Sequence, residues 1–400
     1  MTSIHQLVDE SLRKDINRTF SVVKNYLRQR LIKSTTNVAT AQATPTINTT
    51  TTTSTTTETL SPTIPTNLNN QSPSNPTSHT NDDDTVAKKA AAAAAAATLK
   101  EDHERVLREL KELETEHLKP GHKYKETFSC EHRDNIPEYL RRDYILYGYR
   151  VNYSWVLAFK SMIIPNHNEF ANIHSHLWPA VYFIYLLLDV LYIRADTFDY
   201  TSKLVLGIFL LSGLTTFTCS VSWHTLGCHN ITTWKRLLLC DYMGIIFLIV
   251  GSFYPPLYYA FRCHPTLMTG YLTTITVLGV GLACLIFIPS FAHHNRLRTV
   301  FFSLTAFFGI VPTMHSLYIF PTAEMGLAFF IRINTMFALF GFGLIFYVGR
   351  IPERWFPGVL DNIISSHAMW HLFTFLAPLY HYHTCIQAST LNLTCSALSL

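Results

Sequence analysis

The sequence predicts an all-α membrane protein in which a seven-transmembrane helix bundle follows a partly disordered N-terminal region. Of its 400 residues, 48% are hydrophobic and only 14% are charged. The charges are uneven, because 40 of the 58 charged residues lie in residues 1–165 and only 18 lie in residues 166–400. The C-terminal part also contains seven apolar stretches, each long enough to cross a hydrocarbon core about 30 Å thick.

Short linkers separate these stretches, which predicts that sequential helices are antiparallel neighbours in one compact bundle. We assign residues 166–388 to this bundle and residues 389–400 to a short tail beyond it. The apolar stretches lie near residues 174–193, 203–224, 237–259, 268–289, 299–320, 325–348 and 366–387.

Basic residues beside the stretches predict a cytosolic N-terminus and an extracytosolic C-terminus, because cytosolic loops of membrane proteins are enriched in Lys and Arg. They do not distinguish the plasma membrane from internal membranes. In this orientation the cytosolic loops contain Lys235, Arg236, Arg296, Arg298, Arg350 and Arg354, whereas the opposite loops contain Arg194, Lys203 and Arg262.

Four segments precede the bundle. Residues 1–33 have the apolar spacing of an amphipathic helix, which either lies on a membrane surface or packs against a partner. Residues 34–85 are rich in Thr, Ser, Pro and Asn and are predicted to be disordered. Residues 86–119 predict an Ala-rich to charged helix, more consistent with a solvated helix than with a dimer, and residues 120–165 form a cytosolic juxtamembrane segment.

Charge and cysteine content exclude several classes of function. The charges form no concentrated basic stripe, so we expect no nucleic-acid partner. The eight cysteines include no CxxC pair, and we expect most of them to be small apolar residues in helices. The oligomeric state is open.

The seventh stretch begins with His367 and His371, four residues apart on one helical face, a spacing that can chelate one metal ion. An HxxxH pair is a weak signal in a chain with 19 histidines. Helix topology strengthens it, because His224 ends the second stretch and Asp241 follows the first turn of the third, both at the same cytosolic level. His315, His381 and His383 lie at other depths along their helices and are predicted to be hydrogen-bonded structural or interfacial residues.

Three neutral imidazoles with one open position are typical of a catalytic zinc site, whereas structural zinc sites are usually closed by four ligands rich in Cys. The sequence therefore predicts one Zn²⁺ bound by three histidines. Asp241 would orient the metal-bound water or accept its proton, or else serve as a capping or helix-bridging carboxylate. Glu169, Asn172 and His176 lie at the same boundary, where they either shape the site or cap and anchor the first helix.

At these residues the chain resembles the progestin and adipoQ receptor family, also called the haemolysin III superfamily, and most closely its adiponectin-receptor branch. The resemblance covers roughly residues 135–387 and includes the strings IPEYLRRDYILYGYR, GSFYPPLYY, VPTMH and RIPERWFPG. It implies that His224, His367 and His371 are zinc ligands, that Asp241 lies near the metal-bound water and that Ser220 lies one turn before the first ligand. The family motifs are Glu169-x2-Asn172-x3-His176, Ser220-x3-His224, Asp241 and His367-x3-His371.

The resemblance implies two functions of different classes. In the first, the protein is a zinc-dependent amidohydrolase linked to lipid metabolism, with a ceramidase-like activity on a membrane sphingolipid. In the second, it is a signalling receptor in which zinc is structural, an extracellular ligand changes the helix packing and no hydrolysis occurs.

Overall fold

A computed structural model of the chain describes residues 123–288, 291 and 295–390, with residues 108, 111, 112, 115 and 395 in addition. The predictions for residues 1–33 and 34–85, and most of those for 86–119, lie outside this set. Within it the chain is helical, and the β pairing there consists of two isolated bridges, Lys125 with Tyr153 and Glu131 with Tyr149.

Among the described residues, seven helices form the bundle and confirm the predicted all-α fold class. Six of them are long and apolar enough to cross a membrane. The seventh has 24 residues, enough for about 36 Å of helix, but its His, Ser and Thr residues make it less apolar. The helices are α1 Phe170–Leu188, continued by a π-helical turn Asp189–Ile193, α2 Tyr200–Leu226, α3 Ile231–Phe261, α4 Pro265–Ile286, α5 Arg296–Ile319, which a turn at residues 308–309 interrupts, α6 Ala323–Gly349 and α7 Ser366–Ser389.

Short polar side chains determine where several of these helices begin. Asp199 accepts a hydrogen bond from the Ser202 amide at the start of α2, and Asn230 accepts one from the Thr233 amide at the start of α3. Ser365 serves in the same way at the start of α7. Such caps satisfy backbone N–H groups that have no partner within the helix.

The helices pack in sequence order, and α7 closes the bundle by contacting α1 and α3 as well as α6. α2 and α3 approach each other closely where Gly244 lies against the backbone of Thr216. A Cβ atom on Gly244 would lie 2.8 Å from Thr216 Cα, so a larger residue would force these helices apart. This contact brings the end of α2 beside the start of α3.

The described part of the juxtamembrane segment, residues 123–165, covers the end of the bundle where α2 ends and α3 and α7 begin. We call this the histidine end. Ile136, Ile145, Tyr149 and Val151 form a small apolar cluster of the segment. The carboxylate of Asp361, in the linker between α6 and α7, accepts hydrogen bonds from two backbone amides of the segment at 2.7 and 2.8 Å.

A disulfide bond lies at the opposite end of the bundle. It joins Cys263, two residues after α3, to Cys395, beyond α7, with 5.2 Å between the Cα atoms. Cys263 and Cys395 are exceptions to the prediction that most cysteines are small apolar residues in helices. Cysteine spacing alone cannot reveal such a pair, because the two residues are brought together by the bundle.

Candidate metal centre

Three imidazoles converge at the histidine end. His224 lies in the last turn of α2, and His367 and His371 lie in the first two turns of α7. One ring nitrogen of each lies within 4.8 Å of the other two, and the Nε2 atoms of His224 and His367 are 3.2 Å apart. Tetrahedral zinc with bonds of about 2.0–2.1 Å places its ligand nitrogens about 3.3 Å apart. The predicted convergence is confirmed, and the spacing fits a metal ion.

His224 is held through its second ring nitrogen. Its Nδ1 atom lies 2.7 Å from Oε2 of Glu169. An ionised carboxylate only accepts hydrogen bonds, so Nδ1 carries the hydrogen and Nε2 keeps its lone pair. That lone pair is directed to the side where His367 lies, as metal ligation requires.

His371 is held by α1. Its Nδ1 atom lies 3.2 Å from the backbone oxygen of Asn172 and 3.0 Å from Oγ of Ser175. A carbonyl oxygen only accepts, so Nδ1 of His371 carries the hydrogen and Nε2 is free to bind a metal. The tautomers of two of the three ligands are therefore fixed by neighbouring groups.

His176 lies beside the three imidazoles but does not belong to their set of ligand atoms. Its ring stacks on that of His371, with centroids 3.6 Å apart and planes inclined by 12°. It is 3% exposed, and neither ring nitrogen has a hydrogen-bond partner among the described residues. The predicted role of His176 in shaping the site is consistent with this position and stays a prediction.

Asp241 and Ser220 form a buried polar pair at the same end of the bundle. Their side chains interact, and Ser220 lies one helical turn before His224. Ser220 is 1% exposed, and its hydroxyl has no partner with hydrogen-bond geometry in the described part of the chain. Asp241 is not among the ligand atoms that lie within 4.8 Å of one another, so its place is that of a group beside the site.

Glu169, which contacts His224, also forms a salt bridge with Arg142. Nη2 of Arg142 and Oε1 of Glu169 are 2.9 Å apart. Burial alone would raise the pKa of Glu169, but Arg142 and His224 hold it well below its usual range. Burial would lower the pKa of Arg142, but Glu169 raises it above its ordinary value. Both groups are therefore charged at neutral pH.

Sequence reasoning missed four groups that support the site: Arg142, Arg150, Ser175 and Glu353. Three of them lie in strings that were used only as marks of resemblance, IPEYLRRDYILYGYR and RIPERWFPG. The sequence shows the charges of these residues but not their burial. In the structure Arg150 and Glu353 are each only 3% exposed.

Two of the three histidines that lie at other depths, His315 and His381, are hydrogen-bonded away from the site. Nδ1 of His315 lies 2.8 Å from the hydroxyl of Tyr271, and Nε2 of His381 lies 2.9 Å from the backbone oxygen of Ser252. His381 lies ten residues beyond His371 on α7, and His315 lies four residues before the end of α5. Their predicted structural role agrees with these contacts.

Comparison with known proteins confirms the resemblance. The profile of the family described as "Haemolysin-III related" matches residues 164–382. The chain is 32% identical over 260 residues to "Heptahelical transmembrane protein 1" of Arabidopsis thaliana, an alignment that covers 62% of this chain and 77% of that protein. It is 32% identical over 257 residues to the "Adiponectin receptor protein" of Drosophila melanogaster, covering 63% of this chain and 58% of that protein. It is 30% identical over 267 residues to "Progestin and adipoQ receptor family member 3" of Mus musculus, covering 62% of this chain and 82% of that protein.

Proposed function

Because this chain belongs to the haemolysin-III-related family of seven-helix, multi-pass membrane proteins, we propose that its histidine end binds zinc and hydrolyses the amide bond of a membrane lipid. The observation that carries the proposal is the set of three imidazoles with ring nitrogens within 4.8 Å of one another. Asp241 and Ser220 form a buried pair beside these imidazoles. They are not among the three zinc ligands and are therefore available for the hydrolysis itself.

The donor set supports zinc rather than a harder cation. Neutral imidazoles suit Zn²⁺, whereas Mg²⁺ and Ca²⁺ prefer oxygen ligands. Three protein ligands leave a fourth tetrahedral position for water or substrate, as in catalytic zinc sites. His224, His367 and His371 would hold the ion.

When bound, zinc would polarise the amide carbonyl and lower the pKa of bound water to about 7. Asp241 would accept the proton of the attacking water and return it to the amide nitrogen as the C–N bond breaks. The Ser220 hydroxyl, which interacts with Asp241 but is not in hydrogen-bond geometry with any described residue, would turn to donate to the Asp241 carboxyl and hold it in place. The products of a ceramide-like substrate would be a fatty acid, which gains the OH group, and a sphingoid base, which gains the proton.

The depth of the site supports a lipid amide as substrate. His224 lies two residues before the end of α2, and His367 is the second residue of α7. The site therefore lies near the boundary between the hydrocarbon core and the headgroup region, where the amide of a sphingolipid is found. An acyl chain attached to that amide would extend into the membrane.

The test is to purify the full chain in detergent, measure bound zinc and follow ceramide hydrolysis in the wild type and in three variants. We expect His371→Ala to lose both zinc and turnover, and Asp241→Asn to keep zinc but lose turnover. His381→Ala is the matched control, because it removes a buried imidazole of the same helix that lies away from the site. Normal turnover in zinc-free His371→Ala would overturn the hydrolase proposal.

A receptor with structural zinc is the second candidate. It is favoured by the direct contact between the site and the juxtamembrane segment, through which a change in α7 would reach the N-terminal region. A relative from Drosophila melanogaster is also named an adiponectin receptor. Stoichiometric zinc without hydrolysis of any lipid amide in the wild type would favour this candidate over the first.

A further inference from the structure

We propose that Glu169 is a positioning residue of the metal site, and that the juxtamembrane segment fixes His224 through Arg142 and Arg150. The inference deepens the proposed function: it rests on metal binding by the three histidines and does not depend on hydrolysis. It assigns part of the site to a segment that supplies no metal ligand.

The contacts of Glu169 argue against an ordinary capping role. It is the N-cap residue of α1, where a carboxylate would usually accept a hydrogen bond from an amide of the first turn. Its side chain makes no such bond. Its Oε2 atom instead lies 2.7 Å from Nδ1 of His224 and accepts from Nδ2 of Asn172, also at 2.7 Å, while Oε1 accepts from Arg142.

The contact with His224 determines what that ring can offer to a metal. The carboxylate keeps the ring hydrogen on Nδ1 and makes the imidazole a stronger donor at Nε2. It also prevents rotation of the ring, since a rotated ring would leave a buried carboxylate without this partner. Nε2 is thereby held 3.2 Å from Nε2 of His367 before any metal binds.

Arg142 holds Glu169 in its turn. Its guanidinium donates to Oε1 at 2.9 Å and lies over the ring of Trp223, 5.4 Å from the centroid. The side chains of the pair are only 28% and 17% exposed, so solvent replaces their contact poorly. The arginine thus fixes the carboxylate from the side away from His224.

Arg150 holds the backbone of the same ligand. One guanidinium nitrogen donates to the backbone oxygen of His224 at 2.5 Å, and the other donates to the oxygen of Thr225 at 3.3 Å and to Oγ of Ser161 at 2.5 Å. These bonds satisfy carbonyl groups of the last turn of α2 that lack helical partners. Two arginines of one segment therefore fix the main chain of His224 and, through Glu169, its ring.

The experiment measures metal affinity in the full chain, purified in detergent and stripped of metal. Zinc affinity is obtained by competition with a chelator, and Co²⁺ absorption reports the geometry of the ligands. We expect Glu169→Gln to lower zinc affinity by about 10–100-fold and to change the Co²⁺ spectrum. The metal-free variant should also melt at a lower temperature, because the partly buried Arg142 loses its charged partner, so zinc affinity and the Co²⁺ spectrum are the readouts that test positioning.

Arg142→Gln should lower the affinity by acting through Glu169. The double variant with Glu169→Gln should then bind zinc no more weakly than Glu169→Gln alone, because coupled residues do not contribute independently. Arg142→Lys should recover part of the loss. The matched control is Arg141→Gln, since the neighbouring Arg141 donates to the backbone oxygen of Ile136, and it should leave the affinity unchanged.

The outcomes separate this inference from the proposed function. A wild-type protein that binds neither zinc nor Co²⁺ would overturn the metal site itself. A wild type that binds zinc, with Glu169→Gln binding it equally well, would overturn the positioning role alone. So would a variant whose metal-free melting temperature falls while its zinc affinity does not, because that result indicates a purely structural contact.

Discussion

The carboxylate of Glu353 accepts a hydrogen bond from the backbone amide of Ser366 at 2.6 Å, one residue before the first histidine of α7. A second bond joins it to the Ser366 hydroxyl. A negative charge at a helix N-terminus is stabilised by the helix dipole and by the unpaired amides there. The linker between α6 and α7 thus fixes the turn that carries His367.

We predict that Glu353→Gln lowers the stability of the protein by about 1–3 kcal/mol, because a buried charged acceptor is replaced by a neutral group. The measurement is the melting temperature in detergent, which should fall by several degrees. Glu324→Gln is the matched control, since Glu324 lies in the first turn of α6 but is exposed. Equal melting temperatures for the two variants would contradict the role of Glu353.

Ser175→Ala should weaken zinc binding modestly. It removes one of the two groups that accept from Nδ1 of His371, and the backbone oxygen of Asn172 remains. One net hydrogen bond is worth about 1 kcal/mol, which corresponds to about a fivefold loss of affinity. Ser222→Ala is the control, because that hydroxyl donates to the backbone oxygen of Thr218 within α2. A loss as large as that in His371→Ala would show that this reasoning is wrong.

The buried His167 should make the protein less stable in acid. Its ring is 0% exposed, with Nε2 2.9 Å from the Ser161 backbone oxygen. Burial, together with the charge of Arg150, lowers its pKa to about 3. The unfolded chain, with a His pKa of about 6.5, therefore binds more protons between these values, so stability is present above about pH 6.5 and falls as the pH drops below it.

The expected loss from this one group is about 2 kcal/mol between pH 8 and pH 5. It is measured as the change in melting temperature over that range, which should be smaller in His167→Gln than in the wild type. Other histidines titrate in both proteins, so only the difference between them reports on His167. His383→Gln, at an exposed position, should behave like the wild type, and identical slopes in all three proteins would refute the prediction.

Cys263 and Cys395 should resist alkylation until the protein is reduced. After unfolding in denaturant and treatment with iodoacetamide, the intact mass should show six labels without reductant and eight with it, in agreement with six free cysteines. Cys395→Ser should cost about 2–4 kcal/mol of stability. Cys284→Ser, which changes an exposed free cysteine, should cost little, and eight labels in the unreduced protein would rule the bond out.

The fold was accessible from the sequence because hydropathy and helical length determine where a chain crosses a membrane. The observed helices extend beyond most of the predicted apolar stretches, since polar and aromatic residues continue a helix past the hydrocarbon core. α3, for example, begins at Ile231, six residues before the predicted stretch, because Asn230 caps it there.

The three imidazoles were also accessible, because alternating helices place His224 and the start of α7 at the same depth. Their supports were not. Arg150 reaches a carbonyl 74 residues away in sequence, and Glu353 reaches an amide across an irregular linker. Such contacts depend on how loops fold over the helix ends, and neither periodicity nor residue spacing encodes that. The pairing of Cys263 with Cys395 is hidden for the same reason.

That disulfide closes a covalent ring through four of the seven helices, since α4, α5, α6 and α7 all lie between Cys263 and Cys395. A protease that cuts the linker between α5 and α6 would therefore leave one molecule, which separates into two fragments only after reduction. During synthesis, Cys395 follows α7 out of the ribosome, so the ring can close only after α4, α5, α6 and α7 have all been made.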